Sequence, residues 1–264
     1  MPVIGLGTFM SRGDEVEEAV YSALQMGYRH IDTADLYMNH EQVGRALKRA
    51  IGDGIVKRSD VFLVSKLWPT DYRADLVRNR VEKMLVDLQV DYLDQLLLHM
   101  PEAWEHQNDL EDHDLGDTWR MFEELYEEKK VRSIGVSNFG IQRTTDLLSK
   151  SRIRPAVNQI EVHPFLPQDK LLDFCTARGM KVVAYAPLGA PGYPYEHPGP
   201  LPDVFHHPSI KQIAVSHAKT AAQVALRWAI QRGTVVIPKS VRRERIEENL
   251  NIFDFELSEE EMVD

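Results

Sequence analysis

The hydrophobic and polar residues of this chain follow two alternating patterns along its whole length. Short runs rich in β-branched and apolar residues, such as VIGLGT at 3–8 and DVFLVSKLW at 60–68, predict buried β-strands. Between them lie stretches with a helical period, such as DEVEEAVYSALQMG and DLVRNRVEKMLVDL, which predict amphipathic helices. Further strand-like runs occupy residues 28–34, 92–100, 131–138, 155–163, 181–189 and 233–240. The pattern thus predicts eight units, each a strand followed by a helix.

Eight such units within 264 residues match a (β/α)8 TIM barrel in both number and length. The alternative α/β fold is a doubly wound open sheet, but its glycine-rich G-x-G-x-x-G fingerprint is absent. The nearest match, GLGT at 5–8, lacks the third glycine and has no long helix directly after it. Because no linker or change of composition divides the chain, we predict one barrel domain over residues 1–264. Its two least regular stretches, 101–116 and 190–207, each follow a strand and should lie on the catalytic face.

The composition is typical of a globular protein from a reducing compartment. Hydrophobic residues make up 43% of the chain, and no window approaches the roughly 20 apolar residues that a membrane span needs. The net charge of −10 argues against a nucleic-acid partner. The single cysteine, Cys175, excludes an internal disulfide bond and a cysteine-based zinc site. Since the start of the chain also lacks a signal-like segment, we expect a cytoplasmic protein without membrane or nucleic-acid partners.

The predicted strands end in polar and ionisable side chains, where an apolar barrel strand would otherwise continue. In TIM barrels the active site lies at these C-terminal strand ends. Lys66 is the most informative of these residues, because it lies inside the apolar run VFLVSKLW and a buried ammonium needs a partner. Asp32, on the preceding strand, is the expected partner. We predict that this pair meets Tyr37 and His99 at one end of the barrel.

Seven ordered stretches of the sequence resemble the aldo-keto reductase family. GYRHIDTADLYMNHEQVG at 27–44, LDQLLLHMP at 93–101 and IPKSVRRERIEENLNIFDFELS at 237–258 are similar to three signatures of that family. VSKLW, GVSNF, AVNQIEVHP and AYAPLG match at family-like spacing between them. The resemblance extends from Met1 to Asp264 and implies a barrel enzyme that reduces aldehydes and ketones with NADPH.

The resemblance also implies roles for particular side chains. The catalytic residues would be Tyr37 as the proton donor and Asp32, Lys66 and His99 as its partners. The residues implied to hold NADP(H) are Ser137, Asn138 and Gln159 at the nicotinamide carboxamide, Tyr185 on the ring, Lys239, Ser240 and Arg245 at the 2′-phosphate, and Glu248 and Asn249 near the adenine. Phe9, Trp68 and Met100 would line the pocket, which we expect to favour uncharged aldehydes and ketones, aromatic ones included.

Carbonyl reduction needs a hydride at carbon and a proton at oxygen, and the side chains account for the proton. No side chain donates hydride, so a cofactor is required. A phenol has a pKa of about 10, which an adjacent Lys66 ammonium would lower by stabilising the phenolate. Asp32 would keep that lysine charged, and His99 could donate a hydrogen bond to the carbonyl oxygen.

A basic segment after the last predicted strand indicates which coenzyme is preferred. In this acidic chain, KSVRRER at 239–245 holds four cations, namely Lys239, Arg242, Arg243 and Arg245. Cations at the start of a helix oppose its dipole, and a bound phosphate would offset that cost. We therefore expect NADP(H) to bind more tightly than NAD(H), with Arg242 and Arg243 adding only to the local field.

Two other functions are compatible with parts of the pattern. The metal site of a TIM-barrel hydrolase could be drawn from His30, Asp32, His99 and His163, with Lys66 as a bridging carbamate. The first strand offers no ligand for such a site, so we predict no metal. A barrel that only senses NADP as a subunit of a larger assembly could also retain these residues. We prefer a monomeric oxidoreductase, in which the family's N-terminal hairpin and C-terminal loop are expected to be absent and the substrate pocket correspondingly remodelled.

Overall fold

The structure of the protein is a computed structural model that describes residues 1–106, 109–111, 113–191 and 203–263. Residues 105–106 and 109–111 are described by their backbone alone. Most of the stretch 190–207, which we predicted to lie on the catalytic face, is outside the described residues.

In the described part of the chain the strands are β1 (Leu6–Gly7), β2 (His30–Asp32), β3 (Phe62–Leu67), β4 (Gln95–Leu98), β5 (Ala103–His106), β6 (Asp109–Glu111), β7 (Ile134–Ser137), β8 (Val157–Glu161), β9 (Lys181–Tyr185) and β10 (Val235–Val236). Eight of these strands form one parallel sheet in the order β1-β2-β3-β4-β7-β8-β9-β10. Bridges from Ile4 to Val236 and from Gly7 to Lys239 join its first strand to its last. The sheet therefore closes, and the predicted (β/α)8 barrel is confirmed.

Glycines in the first strand allow this closure. The Gly5 amide donates to the Val236 carbonyl at 2.8 Å, and the Gly7 amide donates to the Pro238 carbonyl at 3.1 Å. A Cβ atom on Gly7 would lie 2.7 Å from the Ile237 carbonyl oxygen, closer than side chains approach backbone. The glycine at this position is thus required by the close approach of the two barrel edges.

Helices follow the strands and cover the outside of the barrel. In the described residues they are α1 (Gly13–Met26), α2 (His40–Gly52), α3 (Ala74–Asp87), α4 (Leu115–Glu127), α5 (Ile141–Lys150), α6 (Asp169–Thr176), α7 (Pro208–Ser216), α8 (Ala221–Gln231) and α9 (Arg243–Leu250). Single 3₁₀ turns occupy Asp35–Tyr37, Arg58–Asp60 and Pro69–Asp71. Among the described residues, none of the helices has the length and apolar character that crossing a membrane requires.

The alternation of side chains along β3 explains why a lysine lies in an apolar strand. A small apolar cluster, separate from the main core, contains Val64, Leu97, Val157, Val183, Val235 and Ile237 from five strands and the chain beyond β10. Lys66 lies two residues after Val64 and shares its face of the sheet, whereas Ser65 faces outwards and contacts His40 of α2 at 2.9 Å. Lys66 thus occupies the layer of the barrel interior above the apolar cluster.

The stretch 101–116 is less irregular than predicted. It contains β5 and β6, which pair as an antiparallel hairpin with Ala103 opposite Glu111 and Trp104 opposite Leu110. The sequence EHQNDLED has no run of alternating apolar residues, so local pattern gave no strand signal here. The hairpin follows β4 and, as predicted for this stretch, lies on the face where the strands end.

Candidate active site

Lys66 lies at the centre of the site with all three ammonium hydrogens bonded. Its Nζ donates to Asp32 Oδ1 at 2.5 Å, to the Thr33 carbonyl at 3.0 Å and to Tyr37 Oη at 3.1 Å. The side chain is completely buried. Because an ammonium can only donate, the Tyr37 oxygen accepts this bond and keeps its own proton available for donation.

The charge of Lys66 is maintained by its neighbours. Burial alone would lower the pKa of this amine, but the adjacent Asp32 carboxylate and Tyr37 more than offset burial, so the pKa is raised above its ordinary value. Lys66 is therefore an ammonium at neutral pH. An ammonium beside a phenol stabilises the phenolate that remains after proton transfer.

Asp32 connects Lys66 to the far side of the barrel. Its second carboxylate oxygen accepts a hydrogen bond from Gln159 Nε2 at 2.8 Å. The Gln159 carbonyl in turn accepts from Ser137 Oγ and from the Asn138 amide, both at 2.9 Å. The residues predicted to hold the nicotinamide are thus joined to the Lys66–Asp32 pair by hydrogen bonds, a connection that the sequence did not predict.

His99, directly after β4, is neutral and contacts two aromatic rings. Its ring centroid is 5.8 Å from that of Tyr37 and 5.0 Å from that of Trp68, both in edge-to-face geometry. Burial, and then the charge of Lys66, hold the pKa of His99 well below its usual value. Within the described residues its buried Nδ1 has no hydrogen-bond partner. A neutral imidazole can donate one hydrogen bond, as the predicted contact with a carbonyl oxygen requires.

The residues predicted to contact substrate border this group. Phe9 lies 5.1 Å from the Tyr37 ring, and the Met100 sulfur accepts from Asn138 Nδ2 at 3.3 Å. Trp68 contacts a second tryptophan, Trp104 of β5, at 5.1 Å. The sequence analysis missed Trp104, because a lone aromatic in an unpatterned loop carries no signal of its position in space.

A buried asparagine supports the loop that carries Tyr37, and it too was missed. Asn39 Oδ1 accepts from Thr33 Oγ1 at 2.6 Å, while its Nδ2 donates to the carbonyls of Thr8 and Ser11 at 3.0 and 3.1 Å. The Asn39 side chain is completely buried. It thereby ties the loop after β1 to the loop after β2.

The strand ends predicted to bind the nicotinamide lie close together. Asn138 has a left-handed backbone, with φ of 65°, directly after β7. Its Nδ2 donates to the His99 carbonyl at 2.9 Å, and its Oδ1 accepts from the Tyr185 hydroxyl at 2.8 Å. The ends of β4, β7 and β9 are therefore fixed relative to one another by a single side chain.

The predicted phosphate-binding residues lie on the loop between β10 and α9. Lys239 and Arg245 are exposed, whereas Ser240 is buried and its Oγ accepts from the Arg242 amide at 3.1 Å. Arg243 instead donates to Ser22 and Gln25 of α1. Two predicted adenine neighbours follow on α9: Glu248, which accepts from Thr220 Oγ1 at 2.8 Å, and Asn249, which is buried.

The residues of the alternative metal site do not converge. His30 packs at the start of β2, with Nδ1 3.3 Å from the Pro2 carbonyl and its ring edge-on to Phe62. His163 contacts Glu161 at 3.2 Å. Over the part of the chain that the structure describes, no group of three or more histidine, cysteine, aspartate or glutamate side chains could hold a metal ion.

Curated relatives match nearly the whole chain. Aldose reductase B of Dictyostelium discoideum is 45% identical over 279 residues, covering 99% of this chain and 87% of the relative. Aldo-keto reductase family 1 member A1 of Gallus gallus is 42% identical over 274 residues, covering 99% of this chain and 84% of the relative.

Solved structures agree with these relatives. The aldose reductase of Schistosoma japonicum superposes with a TM-score of 0.92 at 42% identity, covering 99% of this chain and 86% of that one. The aldo-keto reductase of Bombyx mori, solved in complex with NADP, gives a TM-score of 0.94 at 38% identity, covering 99% and 87%. The model of the Aldo/keto reductase family matches residues 3–264. The chain therefore belongs to the aldo/keto reductase family.

Proposed function

We propose that this protein reduces aldehydes and ketones to alcohols with NADPH, using Tyr37 as the proton donor. The observation that carries the proposal is the buried Lys66 ammonium, which bonds to Asp32 and Tyr37 at once. Membership of the family is consistent with this reaction and excludes the alternative of a metal-dependent hydrolase.

The donor set at the barrel mouth fits a nicotinamide dinucleotide phosphate. When bound, NADPH supplies the hydride to the substrate carbon. We assign its carboxamide to Ser137, Asn138 and Gln159, its nicotinamide ring to Tyr185, its 2′-phosphate to Lys239, Ser240 and Arg245, and its adenine to Glu248 and Asn249. In the described residues the Lys239 and Arg245 side chains form no ion pair, so both cations are available to a phosphate.

The side chains around Tyr37 perform the proton transfer. His99 donates a hydrogen bond to the carbonyl oxygen, which orients the substrate and stabilises the negative charge that develops there. Tyr37 then gives its proton to that oxygen. Lys66 stabilises the phenolate left behind, and Asp32 holds the ammonium in place.

The substrate class follows from the walls of the mouth. Phe9 contacts Tyr37, Trp68 contacts His99 and Trp104, and Met100 contacts Asn138. Such a wall favours uncharged, aromatic aldehydes and ketones over small polar ones. We further propose that the chain is a single-domain, monomeric cytoplasmic enzyme; its one cysteine, which is buried and free, supports a reducing compartment.

The decisive experiment is to measure NADPH oxidation with a panel of aldehydes and ketones. We expect turnover with uncharged aromatic aldehydes and lower kcat/KM with carboxylate-bearing ones. Fluorescence titration of NADPH in parallel separates binding from turnover. Tight NADPH binding without turnover of any carbonyl would favour the alternative of a non-catalytic barrel subunit that senses NADP.

A further inference from the structure

Arg80, on the outer helix α3, forms ion pairs with carboxylates from two different loops. Its Nε lies 3.6 Å from Asp35 Oδ2 and 3.1 Å from Asp71 Oδ2, and its Nη2 donates to Asp71 Oδ1 at 3.4 Å. The three side chains are only 34%, 19% and 14% exposed, so salt screens their interaction less than it screens open surface pairs. We call these three residues the Arg80 bridge.

Each carboxylate of the Arg80 bridge belongs to a short turn that carries a residue of the active site. Asp35 opens the 3₁₀ turn that ends at Tyr37. Asp71 closes the 3₁₀ turn that follows Trp68, and its amide donates to the Trp68 carbonyl at 3.0 Å. The guanidinium is therefore attached on one side to the turn of the proton donor and on the other to the turn of the aromatic wall.

The residues that the two turns carry or follow both contact His99, so the separation of the turns affects the packing around its ring. The rings of Tyr37 and Trp68 both contact the His99 ring edge-to-face, with centroids at 5.8 and 5.0 Å. Burial, and to a lesser degree the charge of Asp71, raises the pKa of the Asp35 carboxyl, whereas Arg80 lowers it. Without Arg80, two partly buried carboxylates would face each other and push the turns apart.

We propose that Arg80 is a positioning residue for carbonyl reduction, holding the turns of Tyr37 and Trp68 at a set distance around His99. This inference rests on the proposed function. The ion pair with Asp35 positions the turn of the proton donor, so its loss should lower kcat. The ion pair with Asp71 positions the turn that follows Trp68, so its loss should raise KM for aromatic substrates.

The first test compares Arg80→Ala with Arg78→Ala. Arg78 is on the same helix and pairs with Glu124 of α4 and with Glu128 directly after it, so its loss removes the same charge without affecting either turn. Arg80→Ala should lower kcat/KM for an aromatic aldehyde about fivefold to tenfold, where tenfold corresponds to about 1.4 kcal/mol. Arg78→Ala should stay within about twofold of wild type, and both variants should bind NADPH normally. Equal activity of the two variants would overturn the proposal.

Variants of the carboxylates separate the two sides of the Arg80 bridge. Asp35→Asn should lower kcat for short aliphatic and for aromatic aldehydes alike, and Asp71→Asn should raise KM for aromatic aldehydes alone. The double variant Arg80→Ala with Asp35→Asn should be faster than Arg80→Ala, because the repulsion between carboxylates is removed. A purely structural effect predicts additive losses instead, and additive losses would contradict the positioning role.

Hydrogen exchange tests the Arg80 bridge independently of activity. The amides of Tyr37, Met38 and Asp71 close the two turns by hydrogen bonds of 3.0–3.2 Å. Arg80→Ala should speed their exchange, whereas Arg78→Ala should not. If the wild type reduces no carbonyl, the proposed function fails while this measurement still reports on the turns. If the wild type is active and exchange is unchanged in Arg80→Ala, the positioning role fails alone.

Discussion

At the scale of the residue, the proposed chemistry depends on Lys66, whose charge is buried but bonded to acceptors on all three ammonium hydrogens. The Lys66 ammonium has three acceptors and the Asp32 carboxylate has two donors, Lys66 and Gln159. Taking both charges out of water is costly, and this cost is offset only because the geometry satisfies each group. The benefit is a positive charge held against the Tyr37 oxygen, where it favours proton release.

Replacement of Tyr37 by phenylalanine removes the proposed proton donor and little else. We expect kcat for an aromatic aldehyde to fall by ~10²–10⁴, while NADPH affinity stays near that of wild type. Tyr126→Phe, at an exposed position of α4, is the matched control and should be fully active. Steady-state kinetics and fluorescence titration make the comparison, and wild-type turnover by Tyr37→Phe would reassign the donor.

Single replacements within the Lys66–Asp32 pair should affect activity and stability differently. Lys66→Met removes the charge beside Tyr37 and should lower kcat almost as much as Tyr37→Phe. Asp32→Asn leaves the lysine in contact with Tyr37 and should be milder. Each change leaves one buried charge without its counter-ion, so each should cost about 3–5 kcal/mol in the free energy of unfolding. Urea denaturation measures this cost, and Asp32→Asn losing more activity than Lys66→Met would contradict the assigned roles.

At the scale of the element, the first turn of α9 carries positive charges where helix electrostatics favours negative ones. Its N-terminal turn carries Arg243 and Arg245, its N-cap residue Arg242 makes no side-chain capping bond, and only Glu244 in this turn is acidic. Cations there oppose the positive end of the helix dipole. By contrast, α4 begins with Asp114, whose carboxylate accepts from the Gly116 amide. The charges at the start of α9 therefore favour a bound anion and disfavour the helix itself.

Arginine variants of α9 test this anion preference. Arg245→Ala should weaken NADPH binding roughly tenfold or more and barely affect NADH, because only NADPH carries the 2′-phosphate. Arg243→Ala is the control, since its guanidinium donates to Ser22 and Gln25 of α1. Titration of both cofactors into both variants by tryptophan fluorescence gives the comparison. Equal losses for NADPH and NADH, or a wild type that prefers NADH, would refute the assignment.

At the scale of the whole molecule, folding buries several histidines in the neutral state. Burial lowers the pKa of His30 to about 4 and that of His40 to about 4, and it holds that of His99 lower than usual as well. In the unfolded chain these groups would titrate near about 6.5. Between these values the unfolded chain binds more protons than the folded protein does, so acid favours unfolding.

The free energy of unfolding should therefore be constant above about pH 7 and fall as the pH drops below about 6.5. Each of the three histidines contributes a slope of up to about 1.4 kcal/mol per pH unit at pH values below about 6.5 and above its own lowered pKa. Urea denaturation at a series of pH values measures the slope. His40→Gln should reduce it. A free energy of unfolding that does not change between pH 5 and pH 7 would contradict the burial of these histidines in the neutral state.

Much of the barrel was predictable because its signals are local. The apolar runs identified all eight barrel strands, although the strands are shorter than those runs: residues 28–34 contribute only His30–Asp32 and residues 181–189 only Lys181–Tyr185. The residues of these runs that are not in the strands lie at the strand ends, where the chain leaves the sheet and carries polar side chains. The β5–β6 hairpin had no such signal, since its ladder is formed by residues without alternating polarity.

The sequence by itself determined the succession of strands and helices and the chemical groups at the strand ends, because periodicity and side-chain identity are properties of neighbouring residues. Only the tertiary structure decided which of those groups meet. The contact of Asp32 with Gln159 spans 127 positions, and the edge-to-face contact of Trp104 with Trp68 and the attachment of Arg80 to two turns depend on loop conformation. Such contacts are set by strand register and barrel closure, which bring distant residues together whatever their separation along the chain.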